Sequence, residues 1–209
     1  MKKDKYEEAW RIFRIMAEFV EGFETLERVK KAITIWGSAR IKPNDQWYEK
    51  AVITAEKLAK KGYTIITGGG PGIMEAANKG ASLAGGESIG LNIELPQEQK
   101  PNPYIKTIIS FRYFFTRKVM FVKYAKGFII FPGGYGTLDE FTEAITLIQT
   151  NRVHKFPVVL MDKEYWKDFI NWVKNVILKR GYIDKEDLQI FKTTDSPEEA
   201  VKIIESFYK

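Results

Sequence analysis

The stretch GFIIFPGGYGTLDE, residues 127–140, decides the fold class of this chain. It begins with a short apolar run, which is typical of a strand buried on both faces of a parallel sheet. Three glycines and a threonine follow, and the spacing of apolar residues then predicts a helix over 138–150. A strand, a glycine-rich turn and a helix in this order indicate a β-α-β architecture.

The same alternation extends along the rest of the chain. Further apolar runs predict strands at 32–36, 63–67, 88–92, 107–111, 157–161 and 189–192. The segments between them predict helices at 45–61, 73–84, 112–125 and 164–180, and a last helix that begins at the capping-box sequence SPEE, residues 196–199. An amphipathic helix over 5–30 precedes the first strand. We therefore expect one domain over 1–209, a doubly wound α/β fold with a mostly parallel seven-stranded sheet flanked by helices, and helix 5–30 packed on it.

A second glycine cluster, TGGGPGIME at residues 67–75, also follows a predicted strand and opens a predicted helix. Glycine lets backbone N–H groups approach a ligand, and a helix N-terminus adds free donors and a positive dipole end. In open α/β sheets such sites lie outside the carboxyl ends of the strands. We therefore expect both clusters to line one phosphate-binding crevice. The expected binding residues are Gly69, Gly70, Gly72, Gly133, Gly134, Gly136 and Thr137.

Neither cluster matches the common nucleotide fingerprints. The pattern G-x-G-x-x-G would need glycine where Ile73 and Asp139 stand, and the chain has no Gly-Lys-Ser/Thr sequence. This argues against a standard NAD site and against a Walker-type NTPase.

The composition narrows the classes of partner and cofactor. Lys and Arg number 33 against 27 Asp and Glu, a net charge of +6 that favours anionic small molecules. The basic residues are dispersed, so we expect no nucleic-acid partner. The chain has no cysteine, and no His or carboxylate cluster has metal-ligand spacing, so we expect no metal and no cofactor. No apolar run reaches the length of about 18 residues that a membrane helix needs, and we expect a cytoplasmic protein.

Four further residues are candidates for contacts with the base or ribose. Ser38 follows a predicted strand, Met74 and Glu75 open the helix after the first cluster, and Arg112 begins another predicted helix. Met74 also fits a core position, and Arg112 also fits a solvated helix face.

Two acids, Asp139 and Glu140, open the helix after the second cluster. Acids are favourable near a helix N-terminus, where each contributes about 0.3–1 kcal/mol. Beside a phosphate-binding loop, however, an acid repels the ligand. Such a placement is expected where the negative charge serves the reaction.

The sequences GGGPGIME at 68–75, RK at 117–118 and PGGYGTLDE at 132–140 together resemble the LOG family. Its members are cytokinin riboside 5′-monophosphate phosphoribohydrolases that were long labelled lysine decarboxylases. The resemblance implies a Rossmann-like fold, usually a homodimer, and a catalytic pair that falls on Arg117 and Glu140.

The expected reaction is therefore hydrolysis of the N-glycosidic bond of a nucleoside 5′-monophosphate, AMP or an N6-modified AMP, to free base and ribose 5-phosphate. A carboxylate can stabilise the oxocarbenium-like transition state and activate water. The alternative is a non-catalytic carrier of a nucleotide or of molybdenum cofactor. A lysine decarboxylase would need pyridoxal phosphate, a Schiff-base lysine and an acid facing the pyridine nitrogen, and no such constellation is visible. The preferred base and the biological role stay open.

Overall fold

A computed structural model describes residues 5–95 and 100–209. The strands are β1 (Ala32–Trp36), β2 (Thr64–Thr67), β3 (Ser88–Ile93), β4 (Thr107–Phe111), β5 (Ala125–Ile130), β6 (Val158–Met161) and β7 (Phe191–Thr194). The helices are α1 (Lys5–Leu26), α2 (Gln46–Lys60), α3 (Ile73–Leu83), α4 (Phe114–Tyr124), α5 (Tyr135–Gln149), α6 (Lys163–Trp172) and α7 (Pro197–Ser206). Within these residues, no helix combines the length and apolar character needed to cross a membrane.

The seven strands form one sheet in the order β4-β3-β2-β1-β5-β6-β7, and all neighbouring pairs are parallel. The expected fold class, a doubly wound α/β sheet flanked by helices, is confirmed. The direction of winding reverses at β1, which lies between β2 and β5. In folds of this class, ligands bind outside the carboxyl ends of the strands beside such a reversal. The topology therefore predicts a ligand site at the loops that follow β1, β2 and β5.

Helices cover both faces of the sheet, and its central strands β1, β5 and β6 are accordingly buried and largely apolar. In β1 every residue is buried, with Ile33 and Ile35 facing a core formed with α2, α3 and α7. Trp36 faces the opposite core, formed with α1, α4, α5 and α6, and stacks on Phe128 at a ring-centroid distance of 4.3 Å. Side chains alternate between faces along a strand, so one apolar run supplies both cores.

Several boundaries differ from the sequence prediction. The first helix ends at Leu26 rather than at 30, and α5 begins at Tyr135 rather than at 138. The last strand begins at Phe191, because residues 185–189 form a 3₁₀-helix instead of the start of a strand. Only half of the predicted capping box forms at α7: the Glu199 N–H donates to Ser196 Oγ, but the Glu199 carboxylate accepts from Thr194.

Candidate active site

A single residue that follows β1, Ser38, contacts the segments that contain both glycine loops. The backbone N–H of Ser38 donates to the Pro132 carbonyl at 2.9 Å, and the Ser38 carbonyl accepts from the Ile73 N–H at 3.1 Å. The loop after β5 and the start of α3 are therefore held by the same peptide segment at the reversal of the sheet. The Ser38 hydroxyl oxygen accepts from the Arg40 N–H at 3.1 Å, which leaves the hydroxyl proton available to a ligand.

Helix α4 brings Arg117 to the first glycine loop. Its guanidinium Nη1 lies 3.7 Å from the position that a Cβ atom on Gly68 would occupy. The residue is only 8% exposed, and its guanidinium carbon lies 5.2 Å and 5.5 Å from the ring centroids of Phe114 and Phe121. Its Nε is buried and has no hydrogen-bond partner within residues 5–95 and 100–209. The structure thus holds a buried cation with a free donor.

Helix α5 brings Glu140 to that cation. Glu140 Oε1 lies 3.7 Å from Arg117 Nη2, and the glutamate side chain is 14% exposed. This separation exceeds a hydrogen bond, so the two groups attract each other while keeping hydrogen-bonding capacity for a ligand. Burial raises the pKa of Glu140 to about 7, although the positive charges of Arg117 and Lys118 lower it. Near neutral pH the Glu140 carboxyl therefore exists in both protonation states.

A second set of ion pairs joins α4 to α5 beside the first. Lys118 Nζ lies 3.0 Å from Asp139 Oδ2 and 3.2 Å from Glu143 Oε2. The lysine side chain is 16% exposed, so this contact is only partly screened by solvent. Of the two acids that open α5, Asp139 therefore forms an ion pair with Lys118, and Glu140 is the one that faces Arg117.

The second glycine loop, residues 133–136, leaves the N-terminus of α5 open. Gly134 is the N-cap residue of α5, and no side chain caps the helix there. Among the described residues, no atom lies within 4 Å of a Cβ atom added to Gly134 or Gly136. The backbone N–H groups of the first helical turn lack intrahelical acceptors, and donors of this kind at a helix N-terminus can bind an anion. Thr137, which is 5% exposed, packs under Gly133 at the base of the opening.

Other protein groups pack against the first glycine loop, residues 68–72, and form hydrogen bonds with its backbone. The Gly69 N–H donates to Thr67 Oγ1 at 2.9 Å, and the Gly69 carbonyl accepts from the Asn102 N–H at 2.9 Å. The Gly70 carbonyl accepts from Asn102 Nδ2 at 3.0 Å. Gly72 has φ +68°, and a Cβ atom there would collide with the Ser38 carbonyl. Contrary to the expectation from the sequence, the Gly69 N–H is not free for a phosphate.

The three remaining candidates, Met74, Glu75 and Arg112, lie in different places. Met74 covers Gly68, since its sulfur would lie 2.8 Å from a Cβ atom on that glycine. Glu75 accepts a hydrogen bond from the Tyr48 hydroxyl at 2.8 Å. Arg112 is 61% exposed at its side chain and pairs with Glu94 at 3.0 Å. Its described contacts do not include the Arg117–Glu140 pair, so the structure does not bring Arg112 into the pair.

A buried polar network that the sequence analysis did not identify supports the first loop. Thr67 Oγ1 donates to Asn78 Oδ1 at 2.7 Å, and Asn102 Nδ2 donates to the same oxygen at 2.9 Å. Asn78 Nδ2 in turn donates to Ser88 Oγ at 2.8 Å. Asn78 is the one signal the sequence offered, because it is a polar residue on the otherwise apolar face of α3.

Across the part of the chain that the structure describes, no group of three His, Asp or Glu side chains is placed to hold a metal ion.

The sequence matches a known family over the region that builds this site. A family model described as "Possible lysine decarboxylase" matches residues 74–204, more than half of the 209-residue chain. The matched span includes Arg117 and the whole second glycine loop with Glu140. The chain belongs to the LOG family.

Two curated relatives of this LOG-family chain are enzymes of nucleotide cleavage. The cytokinin riboside 5′-monophosphate phosphoribohydrolase LOG of Oryza sativa subsp. japonica is 26% identical over 188 residues, covering 88% of this chain and 76% of the rice protein. The pyrimidine/purine nucleotide 5′-monophosphate nucleosidase of Escherichia coli K12 is 29% identical over 147 residues, covering 66% of this chain. The chain spans about a third (32%) of the length of the E. coli enzyme through this match.

Solved structures of the same fold include molybdenum-cofactor proteins. The molybdenum cofactor binding protein of Rippkaea orientalis has a TM-score of 0.63 at 23% identity, covering 86% of this chain and 98% of its own. The molybdenum cofactor carrier protein of Chlamydomonas reinhardtii has a TM-score of 0.62 at 22% identity, covering 85% and 98%. At these identities the likeness concerns the fold alone.

Proposed function

We propose that this LOG-family chain hydrolyses the N-glycosidic bond of a nucleoside 5′-monophosphate and releases the free base and ribose 5-phosphate. The observation that carries the proposal is the buried Arg117–Glu140 ion pair, 3.7 Å apart, between the two glycine loops. A purely structural ion pair gains little from such a placement, because burial of both charges costs free energy. The names of the rice and E. coli relatives support the same substrate class.

In the proposed complex the 5′-phosphate binds at the open N-terminus of α5. The donors are the backbone N–H groups of Gly136 and Thr137, with Gly133 and Gly134 forming the approach. Glu140 lies one helical turn beyond Gly136 on the same face of α5, about 6 Å further along the axis. That spacing leaves room for a ribose between the phosphate and the carboxylate.

Glu140 is the group that acts on the reacting carbon in this mechanism. As the C1′–N bond breaks, its electron pair leaves with the base and positive charge develops on the ribose. The ionised carboxylate stabilises that charge and accepts a proton from the water whose oxygen bonds to C1′. The departing base takes up a proton to become the free base, and Glu140 releases its proton, which restores the carboxylate. A carboxyl pKa of about 7 suits this role, because the group is substantially ionised at neutral pH and still basic enough to take the proton.

Arg117 holds the anionic substrate and orients Glu140. Its buried Nε and the remaining guanidinium N–H groups are donors of fixed charge and planar geometry. The rings of Phe114 and Phe121 beside it keep water away from the charge, which strengthens its interaction with a phosphate or ribose oxygen.

The proposal is tested by measuring ribose 5-phosphate release from a panel of nucleoside 5′-monophosphates, with the matching nucleosides as controls. Glu140→Gln is assayed beside Glu143→Gln, which removes an acid from the next part of α5. We expect release from monophosphates only, abolished in the first variant and retained in the second. Nucleotide binding without any release, measured by calorimetry, would contradict the enzyme and favour a carrier. The panel also identifies the preferred base.

We further propose that the chain forms a homodimer through α1 and α4. Both helices carry exposed apolar side chains on the described surface, and a face of this kind commonly marks a protein interface. These side chains are Trp10, Ile12, Phe13, Met16 and Val20 on α1, and Phe114, Phe115 and Val119 on α4.

Sedimentation velocity tests the homodimer directly. Phe13→Glu places a charge in the apolar face and is expected to yield monomers. Arg14→Glu, at an exposed position on the same helix, is expected to leave dimers intact. A wild-type protein that sediments as a monomer at micromolar concentration rejects the dimer.

A further inference from the structure

A buried acid on the N-terminal helix contacts the segment that leads to Arg117. Glu18, on α1, is 9% exposed. Its Oε1 accepts from the Arg112 backbone N–H at 2.8 Å, and its Oε2 accepts from the Thr116 hydroxyl at 2.6 Å. Each carboxylate oxygen therefore binds a donor from a segment more than ninety residues away in sequence.

These donors lie at the N-terminus of α4. Tyr113 is the N-cap residue of α4, and its side chain makes no capping hydrogen bond. The Glu18 carboxylate supplies an acceptor there from another helix, and its negative charge is favourable near the positive end of the α4 dipole. Thr116 immediately precedes Arg117, so the contact acts one residue from the guanidinium side chain.

Further contacts fix how α1 lies along α4. A Cβ atom on Gly22 would lie 2.7 Å from Met120 Cε, so the two helices touch closely at that level. One turn later, the Tyr124 hydroxyl donates to the Phe23 carbonyl at 3.4 Å. Contacts at successive turns prevent α4 from sliding or rotating against α1.

We propose that Glu18 is a positioning residue that holds α4 in the rotation at which Arg117 lies 3.7 Å from Glu140. Glu18 does not touch the reacting atoms, and its importance for catalysis rests on the function proposed for the Arg117–Glu140 pair. Without its carboxylate, the Arg112 N–H and the Thr116 hydroxyl lose a shared acceptor. The first turn of α4 can then shift, although the contacts of Gly22 and Phe23 still hold the later turns.

The direct test follows the ionisation of Glu140 by ¹³C NMR in protein labelled at glutamate, with Glu140→Gln assigning the signal. The charged groups facing Glu140 are Arg117 and Lys118, which lower its pKa, and Asp139 and Glu143, which raise it. In Glu18→Ala, Arg117 moves away, and the Glu140 pKa is expected to rise by about half a unit or more. We expect kcat/KM at pH 7 to fall about tenfold.

Two control variants separate positioning from general damage. Glu18→Gln can keep both bonds, because its carbonyl accepts from Arg112 while its amide donates to Thr116 Oγ1, whose own proton turns to the Tyr113 carbonyl at 2.7 Å. It is expected to retain the wild-type Glu140 pKa and activity. Glu21→Ala removes an exposed acid from the same helix and is expected to change neither.

A lower melting temperature in Glu18→Ala, with unchanged Glu140 titration and kcat/KM, would show that Glu18 is merely structural. If this variant fails to fold, Thr116→Val removes one of the two bonds and is expected to raise the Glu140 pKa by a smaller amount; no change there overturns the proposal. A wild-type protein that releases no ribose 5-phosphate rejects the proposed function. The Glu140 titration needs no turnover, so it still tests the positioning role of Glu18 in that case.

Discussion

The two glycine loops have similar compositions but opposite surroundings. Each follows a strand beside β1 and opens a helix, yet residues 68–72 are packed and hydrogen-bonded while residues 134–136 border open space. Gly69 and Gly72 adopt positive φ angles and make close backbone contacts, whereas Gly134 and Gly136 have no atom within 4 Å of a would-be Cβ. The first loop needs glycine for its shape, and the second needs glycine for access.

This difference assigns different costs to substitution in the two loops. A side chain in the first loop should damage the fold and reach activity only through stability. A side chain in the second loop should damage ligand binding and leave the fold intact.

Among the substitutions that compare the loops, the largest expected effect comes from Gly136→Asp in the second loop. The open space accommodates the side chain, but its negative charge would face the proposed phosphate, so we expect kcat/KM to fall about a thousandfold. The melting temperature should be unchanged or raised, because an acid in the first turn of a helix is favourable. Gly136→Asn, of equal size and no charge, is the matched control and should retain at least ten times the activity of Gly136→Asp. Equal losses in both would refute a charge effect.

The next largest expected effect is a loss of folding stability caused by a substitution in the first loop. Gly72→Ala forces a Cβ atom toward the Ser38 carbonyl at φ +68°, and we expect it to destabilise the protein by about 3–4 kcal/mol in urea unfolding. Gly62→Ala is the matched control: φ is +78° but no atom lies within 4 Å, so its cost should be only about 1 kcal/mol. Similar costs at both positions would mean that packing against Ser38 contributes nothing.

The raised pKa of Glu140, which follows the second glycine loop, should also affect how the free energy of unfolding depends on pH. The folded-state pKa of Glu140 is raised from 4.5 to about 7, so folded protein retains a proton that unfolded protein releases between these values. Stability from this group is therefore lost as pH rises. Between about pH 5 and 8, wild type should lose about 2.5 kcal/mol relative to Glu140→Gln. Urea unfolding at each pH measures this, with Glu21→Gln, at an exposed position on α1, as control. Parallel curves for wild type and Glu140→Gln would exclude a raised pKa.

The smallest expected effect concerns charge near the open loop. Lys118 lowers the pKa of Glu140, so Lys118→Met should raise that pKa and shift the acid limb of the pH–rate profile upward. We expect kcat/KM to fall about twofold to fourfold at pH 6 and to match wild type at pH 8.5. Lys123→Met, at an exposed position on the same helix, should leave the profile unmoved. A loss that is equal at every pH would point to lost packing instead of charge.

Most of the fold was predictable because its signals are local. The apolar runs at 32–36 and 107–111 coincide with β1 and β4, and the glycine turns mark the helix starts. Sequence motifs identified Arg117 and Glu140 as a pair, but the sequence predicted neither the distance between the two side chains nor their burial. The contrast between the loops depends on distant partners such as Asn102, 33 residues from Gly69. The contacts of Glu18 span still longer separations and leave no pattern in the sequence.

The single peptide segment at Ser38 has a consequence for how members of such a family diverge. Because it fastens both the β5 loop and the start of α3, neither can be reshaped without disturbing the other. The backbone around Ser38 should therefore stay unchanged when substrate preference changes, whether by natural divergence or by engineering. Changes of specificity should accumulate at neighbouring, partly exposed positions such as Met74 and Glu75, where a side chain can be exchanged while the shared backbone is kept.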